Sequence, residues 1–298
     1  MIKIKIPCST SNLGPGFDTL GLALNRYLYI AAEEADTFSI TVEGRGKEHI
    51  ATNETNLVYS AMSVAARHVG KKLPIISLHL INEIPAFGGL GGSGAAIAGG
   101  IFLANELLNG GLSRDEMLSL AVGIEGHPDN VSAALMGGLT INCFDANRKI
   151  HCQSVKIEKP LSVVTCSPHF QVQTKQARKI LPEQVELRDA VTNVENVASL
   201  VAAILQGEYN VLRFATVDML HEKHRAALIP GFTDVKQAAI DAGALSCNIS
   251  GAGPTLFSFA LSNQEAIGSA MVRAFERNEQ KSSVEIMTVE NTGVHITD

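Results

Sequence analysis

Residues 88–100, GGLGGSGAAIAGG, have the composition of a loop that brings backbone N–H groups close to an anion. Seven of the thirteen residues are glycine, and an apolar helix is predicted to begin at Ser93 and to end near Leu108. The unpaired N–H groups and the positive dipole end of a helix N-terminus attract phosphate. The segment therefore predicts a phosphate-binding loop in which the Ser93 hydroxyl is available to the phosphate or its metal ion. Close helix packing is the expected role of Gly99 and Gly100.

Two other nucleotide-binding motifs fit this loop less well. Gly89, Gly91 and Gly94 satisfy the dinucleotide fingerprint G-x-G-x-x-G, but in that fold a strand runs directly into the first glycine. Here Pro85 and Gly88 follow the predicted strand before the fingerprint begins, so a dinucleotide-binding fold is a minor alternative. A Walker A loop requires Gly-Lys followed by Ser or Thr. The Gly-Lys pairs of this chain are followed by Glu and Lys, which excludes that motif.

A nucleophile elbow is the third alternative, because Gly91-x-Ser93-x-Ala95 resembles G-x-S-x-G. It would place Ser93 on a strand-to-helix turn, with an acid and a histidine such as Asp218 and His221 as partners. The chain has nine histidines and 30 acidic residues, so such partners occur easily by chance. A hydrolase therefore stays open only as a weak alternative.

Three further segments carry polar side chains beside glycine turns. The run PCSTSNLGPGFDTLGLAL at residues 7–24 places Asn12 and Asp18 on either side of a Gly-Pro-Gly turn. The run EGHPDN at residues 125–130 puts four hydrogen-bonding side chains around a predicted helix start. The run SGAGPT at residues 250–255 is a second loop whose glycines permit close backbone approach.

The elements that must position these segments alternate without a regular β-α-β order. Alternating or β-rich patterns predict strands, while helical apolar spacing and polar caps, including a capping box at Ser113 and Glu116, predict helices. The predicted strands are 3–6, 27–33, 38–42, 75–81, 139–144, 161–166, 258–260, 284–289 and 294–297. The predicted helices are 56–69, 93–108, one from Ser113, 129–136, one or two within 185–206, 238–242 and 266–276. This order favours an α+β fold with a boundary near residues 150–160.

Composition excludes several function classes. Hydrophobic residues make up 46% of the 298 positions and charged residues 18%, which is too apolar for a disordered chain. A net charge of −6 without a cluster of Lys and Arg argues against a nucleic-acid partner. The apolar runs are too short to span a membrane and the N-terminus does not resemble a signal peptide, so we expect a cytoplasmic protein without a membrane partner. Five scattered cysteines without a C-x-x-C pair predict reduced, mostly buried thiols.

Taken in order, the glycine-rich loop and the three motif segments resemble the GHMP small-molecule kinases. NLGPGFD and EGHPDN are most similar to the members of that family that act on L-homoserine, as are TKQARKILP at 174–182 and LHEKHRAALIPG at 220–231. The resemblance covers about residues 3–260 and implies a two-lobed α+β, GHMP-kinase-like fold with a left-handed β-α-β unit and a non-Walker phosphate loop. It implies an N-terminal nucleotide-binding lobe, residues 1–155, and a C-terminal substrate lobe of ferredoxin-like form, residues 156–298.

The activity that the resemblance implies is phosphoryl transfer from ATP, with Mg²⁺, to the hydroxyl of L-homoserine, a step of threonine biosynthesis, by a homodimer. Asp18 and Asn130 fall at catalytic positions, where Asp18 would orient or deprotonate the hydroxyl. Ser93 and Glu125 match the magnesium ligands. The implied substrate-binding residues are Asn12, Asp18, His127, Asn130, Arg178 and Arg225, with both arginines on the carboxylate. The implied nucleotide-binding residues are Asn56, Leu57, Pro85, Gly88, Gly89, Leu90, Gly91, Gly92, Ser93 and Gly94.

The glycine-rich loop departs from the family's usual wording, which is close to RGLGSSAA. Gly88 stands in place of a basic residue, Gly92 in place of the first serine and Gly94 in place of an alanine. The backbone donors remain, but a hydroxyl is lost and the helix start is less stable by up to about 1 kcal/mol for Gly against Ala. Weaker ATP binding is therefore expected. Two alternatives stay open: a non-catalytic ligand sensor with this fold, and a kinase of the same family for another small alcohol.

Overall fold

The computed structural model describes residues 1–86 and 88–297. Its strands are β1 Ile2–Ser11, β2 Leu20–Glu34, β3 Ser39–Gly44, β4 Ile76–Asn82, β5 Leu139–Phe144, β6 Ile150–Val155, β7 Ser162–Pro168, β8 Asn248–Ile249, β9 Leu256–Ala260, β10 Ser282–Thr288 and β11 His295–Thr297. Its α-helices are α1 Leu57–His68, α2 Gly92–Leu108, α3 Arg114–Glu125, α4 Asp129–Met136, α5 Thr174–Lys179, α6 Leu187–Gln206, α7 Leu212–Ala215, α8 Glu222–Arg225, α9 Phe232–Asp241 and α10 Gln264–Arg277.

The larger sheet has seven strands within the described residues, in the order β11-β1-β2-β4-β3, with β5 paired to β2 and β6 paired to β5. β1 and β2 are antiparallel, and their register shifts between Pro7 and Cys8. β3 and β4 are parallel, and α1 lies in the connection between them. These three elements form a β-α-β unit. The glycine-rich loop follows β4, the second strand of this unit, along the chain.

The smaller sheet, with four strands in the same described part of the chain, has the antiparallel order β10-β7-β9-β8. Its core includes Val164, Met271 and Phe275, which are fully buried. The first sheet is built from residues 2–155 together with β11, which pairs with β1. The division of the chain at residue 155 into two functional lobes stays a prediction.

Helix α2 lies in the centre of the larger core. Gly99 and Gly100 pack so closely on neighbouring elements that an added Cβ would lie 3.0 Å from Ile6 and 2.3 Å from the carbonyl oxygen of Val58. The predicted packing role of these two glycines is confirmed. The middle of α2 thereby packs closely on β1 and α1.

Most predicted elements occur, with ends shifted by a few residues. The capping box at Ser113 and Glu116 is present, and α4 and β5 begin and end as predicted. The apolar patterns do not predict β6 or α5, because most of their side chains are exposed. β1 extends beyond the predicted strand at residues 3–6, because the polar residues at its C-terminal end are buried as well.

Two expectations from composition concern the cysteines and membrane association. Cys8, Cys166 and Cys247 are buried, Cys152 is partly buried and Cys143 is exposed, and all five are free thiols. Burial raises the pKa of Cys8 and of Cys247 to about 12. The prediction of mostly buried thiols is confirmed, and their reduced state stays a prediction. Across the described ranges, every helix is too short or too polar to cross a membrane.

Candidate active site

A cavity of 520 Å³, a volume typical of small-molecule sites, collects nearly all of the predicted site residues. Its lining includes Asn12, Asp18, Asn56, Leu57, Pro85, Gly88, Gly89, Leu90, Gly91, Gly92, Ser93, Glu125, His127, Asn130, Arg178 and Arg225. Of the predicted residues, Gly94 does not line it. The fold therefore brings together side chains from position 12 to position 225 of the chain.

The glycine-rich loop is held by hydroxyl groups of the SGAGPT segment. Thr255 Oγ1 donates to the carbonyl oxygen of Gly88 at 2.6 Å, and Ser250 Oγ donates to that of Gly89. The N–H and C=O groups of a peptide unit point in opposite directions. The N–H groups of these two peptide units therefore point away from the hydroxyl groups that bind the carbonyl oxygens. At Gly91 the backbone is left-handed, with φ 65°, and a Cβ would lie 2.1 Å from a serine hydroxyl, so the turn requires glycine there.

The start of α2 lacks a side-chain cap, so its first N–H groups are available to an acceptor in the cavity. The two substituted glycines in this turn differ in the space around them. A Cβ on Gly92 would meet only Ile84, at 4.0 Å, whereas a Cβ on Gly94 would lie 2.9 Å from Asn130 Cβ. Packing thus permits a serine at position 92. It gives Gly94 a role in the contact of α2 with α4, and its predicted nucleotide contact stays a prediction.

Ser93 and Glu125 meet because the first turn of α2 lies beside the last residue of α3. Ser93 Oγ donates to Glu125 Oε1 at 2.7 Å. A hydroxyl and a carboxylate are oxygen ligands that suit Mg²⁺, which takes few protein ligands when phosphate oxygens and water supply the rest. Among residues 1–86 and 88–297 there is no cluster of three His, Cys, Asp or Glu side chains that would bind a metal ion without such help.

Asp18 is held from two directions. Its backbone is left-handed, with φ 54°, and its N–H donates to Asn12 Oδ1 at 3.1 Å. Asn12 Nδ2 in turn donates to the carbonyl oxygen of Gly251 at 2.9 Å. Arg178 Nη2 and Nη1 donate to Oδ1 and Oδ2 of Asp18 at 2.6 and 2.9 Å. Asn12 therefore fixes the turn, and Arg178 fixes the Asp18 carboxylate.

Arg225 is a buried arginine, with 2% of its surface exposed. Its Nε donates to the carbonyl oxygen of Ala177 at 3.2 Å, and its Nη1 donates to that of Gly251 at 2.9 Å. Burial and, next to it, the charge of Arg178 lower the pKa of Arg225. Within the described chain none of its hydrogen-bond acceptors is a carboxylate, and Nη2 has no acceptor. The cavity thus contains a cation that is not directly paired with an anion.

His127 and Asn130 flank the start of α4. His127 Nδ1 lies 2.9 Å from Asp129 Oδ1. Burial opposes charge on the imidazole, but the hydrogen bond to Asp129 and its charge outweigh that effect and hold the pKa of His127 above its usual value. Asn130 Oδ1 accepts from Ser9 Oγ at 2.9 Å, and its Nδ2 donates to Ser11 Oγ at 3.1 Å. Asn130 is therefore fixed to the polar end of β1.

Four of the implied nucleotide-binding residues lie at the start of α1 and at the glycine-rich loop. Asn56 Oδ1 accepts from the N–H of Val58 at 2.9 Å, so its amide caps the helix. Leu57 is 37% exposed, and both Leu57 and Pro85 line the cavity, which offers an apolar surface to a flat base. Leu90 is 1% exposed and packs in the core, so only its backbone is available to a ligand.

The weak hydrolase alternative is not supported by the geometry. Ser93 Oγ donates to Glu125 and not to a histidine. His221 is fully buried, and its Nε2 donates to the carbonyl oxygen of Gly14 at 3.0 Å. Without a histidine in contact, Ser93 lacks the Ser–His pair that a nucleophile elbow uses for acyl transfer.

Sequence reasoning misses the hydroxyl groups that shape the site. Ser9 and Ser11 hold Asn130, while Ser250 and Thr255 hold the glycine-rich loop. The signal that could have found them is the density of Ser and Thr in two segments that already carry motif glycines. Buried hydroxyls of this kind need partners, and the partners lie in the other motifs.

Two family models match the chain. The model for the GHMP kinases N terminal domain matches residues 56–138, and that for the GHMP kinases C terminal domain matches residues 200–277. Together they cover the glycine-rich loop, EGHPDN and SGAGPT.

Relatives of similar length are found along the whole chain. It is 40% identical to the homoserine kinase of Caldanaerobacter subterraneus subsp. tengcongensis, over 99% of this chain and 95% of the relative. It is 39% identical to the homoserine kinase of Moorella thermoacetica, over 98% and 99% of the two chains. Its fold is similar to the crystal structure of homoserine kinase from Cytophaga hutchinsonii, with a TM-score of 0.87 and 31% identity over 99% of this chain and 97% of that one.

Proposed function

The chain belongs to the homoserine kinases of the GHMP kinase family, and on that premise we propose how its residues carry out the ATP-dependent phosphorylation of L-homoserine to O-phospho-L-homoserine. The observation that carries the proposal is the one cavity that contains the glycine-rich loop, the Ser93–Glu125 pair and both arginines. Phosphoryl transfer chiefly requires that the attacking hydroxyl and the phosphate are aligned and that charge is neutralised. These groups meet both requirements.

The phosphates of ATP are assigned to the N–H groups of residues 88–93 at the start of α2. Ser93 and Glu125 would hold Mg²⁺, a proposal supported by two oxygen ligands 2.7 Å apart. When bound, Mg²⁺ neutralises phosphate charge during transfer. Leu57 and Pro85 would pack against adenine.

The carboxylate of L-homoserine is assigned to Arg178 and Arg225. Both line the cavity, and both retain N–H donors beyond those bonded to protein. The ammonium and hydroxyl groups are assigned to the polar residues Asn12, Asp18, His127 and Asn130. Because both oxygens of Asp18 accept from Arg178, we assign Asp18 the task of orienting the substrate hydroxyl, for which a strong base is not needed.

A coupled assay that measures ADP release by the purified chain in the presence of Mg-ATP and L-homoserine tests the proposal. We expect ADP and O-phospho-L-homoserine in equal amounts, and background hydrolysis when L-homoserine is omitted. Release only with another small alcohol would assign the substrate elsewhere in the family. If L-homoserine raised the unfolding temperature without any ADP release, the chain would be a ligand sensor and the proposal would be wrong.

We also propose that the chain forms a homodimer through α6 and α7. An apolar stripe lies along one side of α6, where residues are three or four positions apart or separated by sums of these spacings. It consists of Leu187, Val191, Val194 and Leu205, which are 80, 47, 65 and 55% exposed. Phe214 of α7 is 73% exposed. Such a stripe on a two-fold axis is self-complementary, because the same apolar residues meet from both subunits.

Light scattering after size exclusion tests the dimer. We expect the parent chain to have the mass of two copies and Val194→Glu to have the mass of one. Leu261→Glu, which changes a 50% exposed apolar residue outside this stripe, is the control and should stay dimeric. A parent chain with the mass of one copy would refute the proposal.

We keep residues 1–155 as the proposed nucleotide-binding lobe and residues 156–298 as the proposed substrate lobe. The two separate sheets support that division. A cytoplasmic location is proposed as well, supported by five free cysteines, and the net charge of −6 supports the absence of a nucleic-acid partner.

A further inference from the structure

Phe17 lies behind the two arginines that are assigned to the substrate carboxylate. Its ring centroid is 5.5 Å from Arg178 Cζ and 5.1 Å from Arg225 Cζ, within the range in which the face of an aromatic ring attracts a cation. Both arginines line the cavity, whereas half-buried Phe17 does not line it in the described structure. Phe17 therefore contacts the groups that bind substrate without facing substrate itself.

Two guanidinium groups that lie against the same ring, with the charge of Arg178 lowering the pKa of Arg225, need neighbours that offset their repulsion. Arg178 has Asp18 as a carboxylate partner. Arg225 is bonded, in the described chain, to two backbone carbonyls and weakly to His221. The electron-rich face of Phe17 attracts both cations but does not neutralise either one by an ion pair. Their positive charge consequently remains available to an anion in the cavity.

His221 supports the ring of Phe17 and also contacts Arg225. The two rings are stacked, with centroids 5.2 Å apart and an interplanar angle of 29°. His221 Nε2 lies 3.0 Å from the carbonyl oxygen of Gly14, and Nδ1 lies 3.5 Å from Arg225 Nη1. Since a carbonyl only accepts and a guanidinium only donates, the proton lies on Nε2. The imidazole thus connects the Gly-Pro-Gly turn, the Phe17 ring and Arg225.

We propose that Phe17, supported by His221, is a positioning residue that holds Arg178 and Arg225 side by side as a receptor for the substrate carboxylate. This inference rests on the proposed function, in which both arginines bind that carboxylate. Removal of the ring should weaken binding of the carboxylate and leave nucleotide binding nearly unchanged, because the ring contacts of Phe17 are with Arg178, Arg225 and His221. The value of kcat should fall only as far as Arg178 loses its contact with Asp18.

The test compares Phe17→Leu, which removes the ring, with Phe17→Tyr, which keeps it. Phe17→Met replaces the leucine variant if that variant does not fold, and Phe170→Leu, which removes a half-buried ring from the smaller core, is the control. For Phe17→Leu we expect the KM for L-homoserine to rise roughly tenfold, equivalent to about 1.4 kcal/mol. The KM for ATP should change by less than about twofold and kcat by a smaller factor than the KM for L-homoserine, and Phe17→Tyr should stay within about threefold of the parent.

An unchanged KM for L-homoserine overturns the inference. The inference is also overturned if kcat falls, and the KM for ATP rises, by the same factor as the KM for L-homoserine. A crystal structure of Phe17→Leu supplies a readout that does not depend on turnover. The two guanidinium groups should move apart relative to the parent crystal structure, and unchanged positions overturn the inference. If the parent chain does not phosphorylate L-homoserine, the proposed function fails and the positions of the guanidinium groups alone decide the role of Phe17.

Discussion

Arg178 meets Asp18 through a two-point contact, in which each Nη atom donates to a different carboxylate oxygen at 2.6 and 2.9 Å. Two parallel bonds fix the plane of a carboxylate as well as its distance. Arg178 has further N–H donors and lines the cavity. One side chain is therefore able to orient Asp18 and to bind the substrate carboxylate at the same time.

Substitutions of Arg178 test this double role. For Arg178→Ala we expect kcat/KM for L-homoserine to fall roughly 10- to 100-fold, because hydrogen bonds to charged groups contribute about 1.5–3 kcal/mol. Arg178→Lys keeps the charge without the planar pair of donors and should fall between the alanine variant and the parent. Arg277→Lys, on the exposed end of α10, should match the parent in steady-state kinetics. A fully active Arg178→Lys enzyme would contradict a two-point requirement.

Glu125 is expected to set the affinity for Mg²⁺. In Glu125→Gln the Mg²⁺ concentration that gives half-maximal activity should rise roughly tenfold, equivalent to about 1.4 kcal/mol, since an amide is a weaker ligand than a carboxylate. Glu276→Gln changes an exposed acid in the last turn of another helix and serves as the control. Titration of the initial rate with MgCl₂ at fixed ATP measures the effect, and identical titrations for both variants would exclude Glu125 from the metal site.

The hydroxyl of Thr255 should influence ATP binding without touching ATP. Thr255→Val removes the bond to the carbonyl oxygen of Gly88, and we expect the KM for ATP to rise roughly two- to tenfold, for a bond worth about 0.5–1.5 kcal/mol. Thr165→Val is a matched control, because the buried Thr165 hydroxyl has no partner among the described residues. Equal KM values for the two variants would show that the glycine-rich loop keeps its shape without Thr255.

Gly92 and Gly94, two of the three loop glycines that differ from the family's usual residues, should respond to substitution in opposite ways. Gly92→Ser has room for its side chain and should lower the KM for ATP by roughly two- to tenfold if the hydroxyl contributes about 0.5–1.5 kcal/mol on phosphate. Gly94→Ala forces a methyl group against Asn130 and should reduce the free energy of unfolding by about 1–3 kcal/mol. Urea unfolding and ATP kinetics of both variants check this, and a Gly94→Ala enzyme as stable as the parent would refute the close contact.

His127 should make stability depend on pH. Its pKa is raised in the folded chain, so its stabilising contribution is complete below the unfolded pKa of about 6.5 and is lost as the pH rises through the folded pKa. The difference in unfolding free energy between the parent and His127→Asn should therefore be larger at about pH 5.5 than at about pH 8.5. Denaturant unfolding at both pH values measures it. A difference that does not vary with pH would contradict the ion pair with Asp129.

The features that were predictable from sequence are those that depend on near neighbours along the chain. The capping box of α3 joins Ser113 to a residue three positions away, and the glycine turn at Gly91 is a local requirement. The polar end of β1 is different, because buried Ser9 and Thr10 are tolerable only with partners 121 and 240 positions away. Polar residues in a buried strand break the apolar alternation by which strands are predicted. The predicted strand therefore ends before the polar residues of β1 that belong to the site.

The position of Arg225 was not predictable from its residue type, since arginine is seldom fully buried. The short helix α8 carries it into the interior, where backbone carbonyls accept its N–H groups. Only the resemblance of the surrounding segment to a family pointed to a site residue. Its burial and its contacts with Phe17 and His221 depend on tertiary packing that a single sequence does not display.

The hydroxyl groups that hold the glycine-rich loop come from residues 161 and 167 positions later in the chain. During synthesis, the loop therefore leaves the ribosome long before Ser250 and Thr255 exist to shape it. Contacts between such distant segments form late, because a long stretch of chain must be ordered first. A nascent chain accordingly completes the hydrogen bonds of its phosphate-binding loop only after most of its length has been translated, when the residues on the substrate side of the cavity are also present.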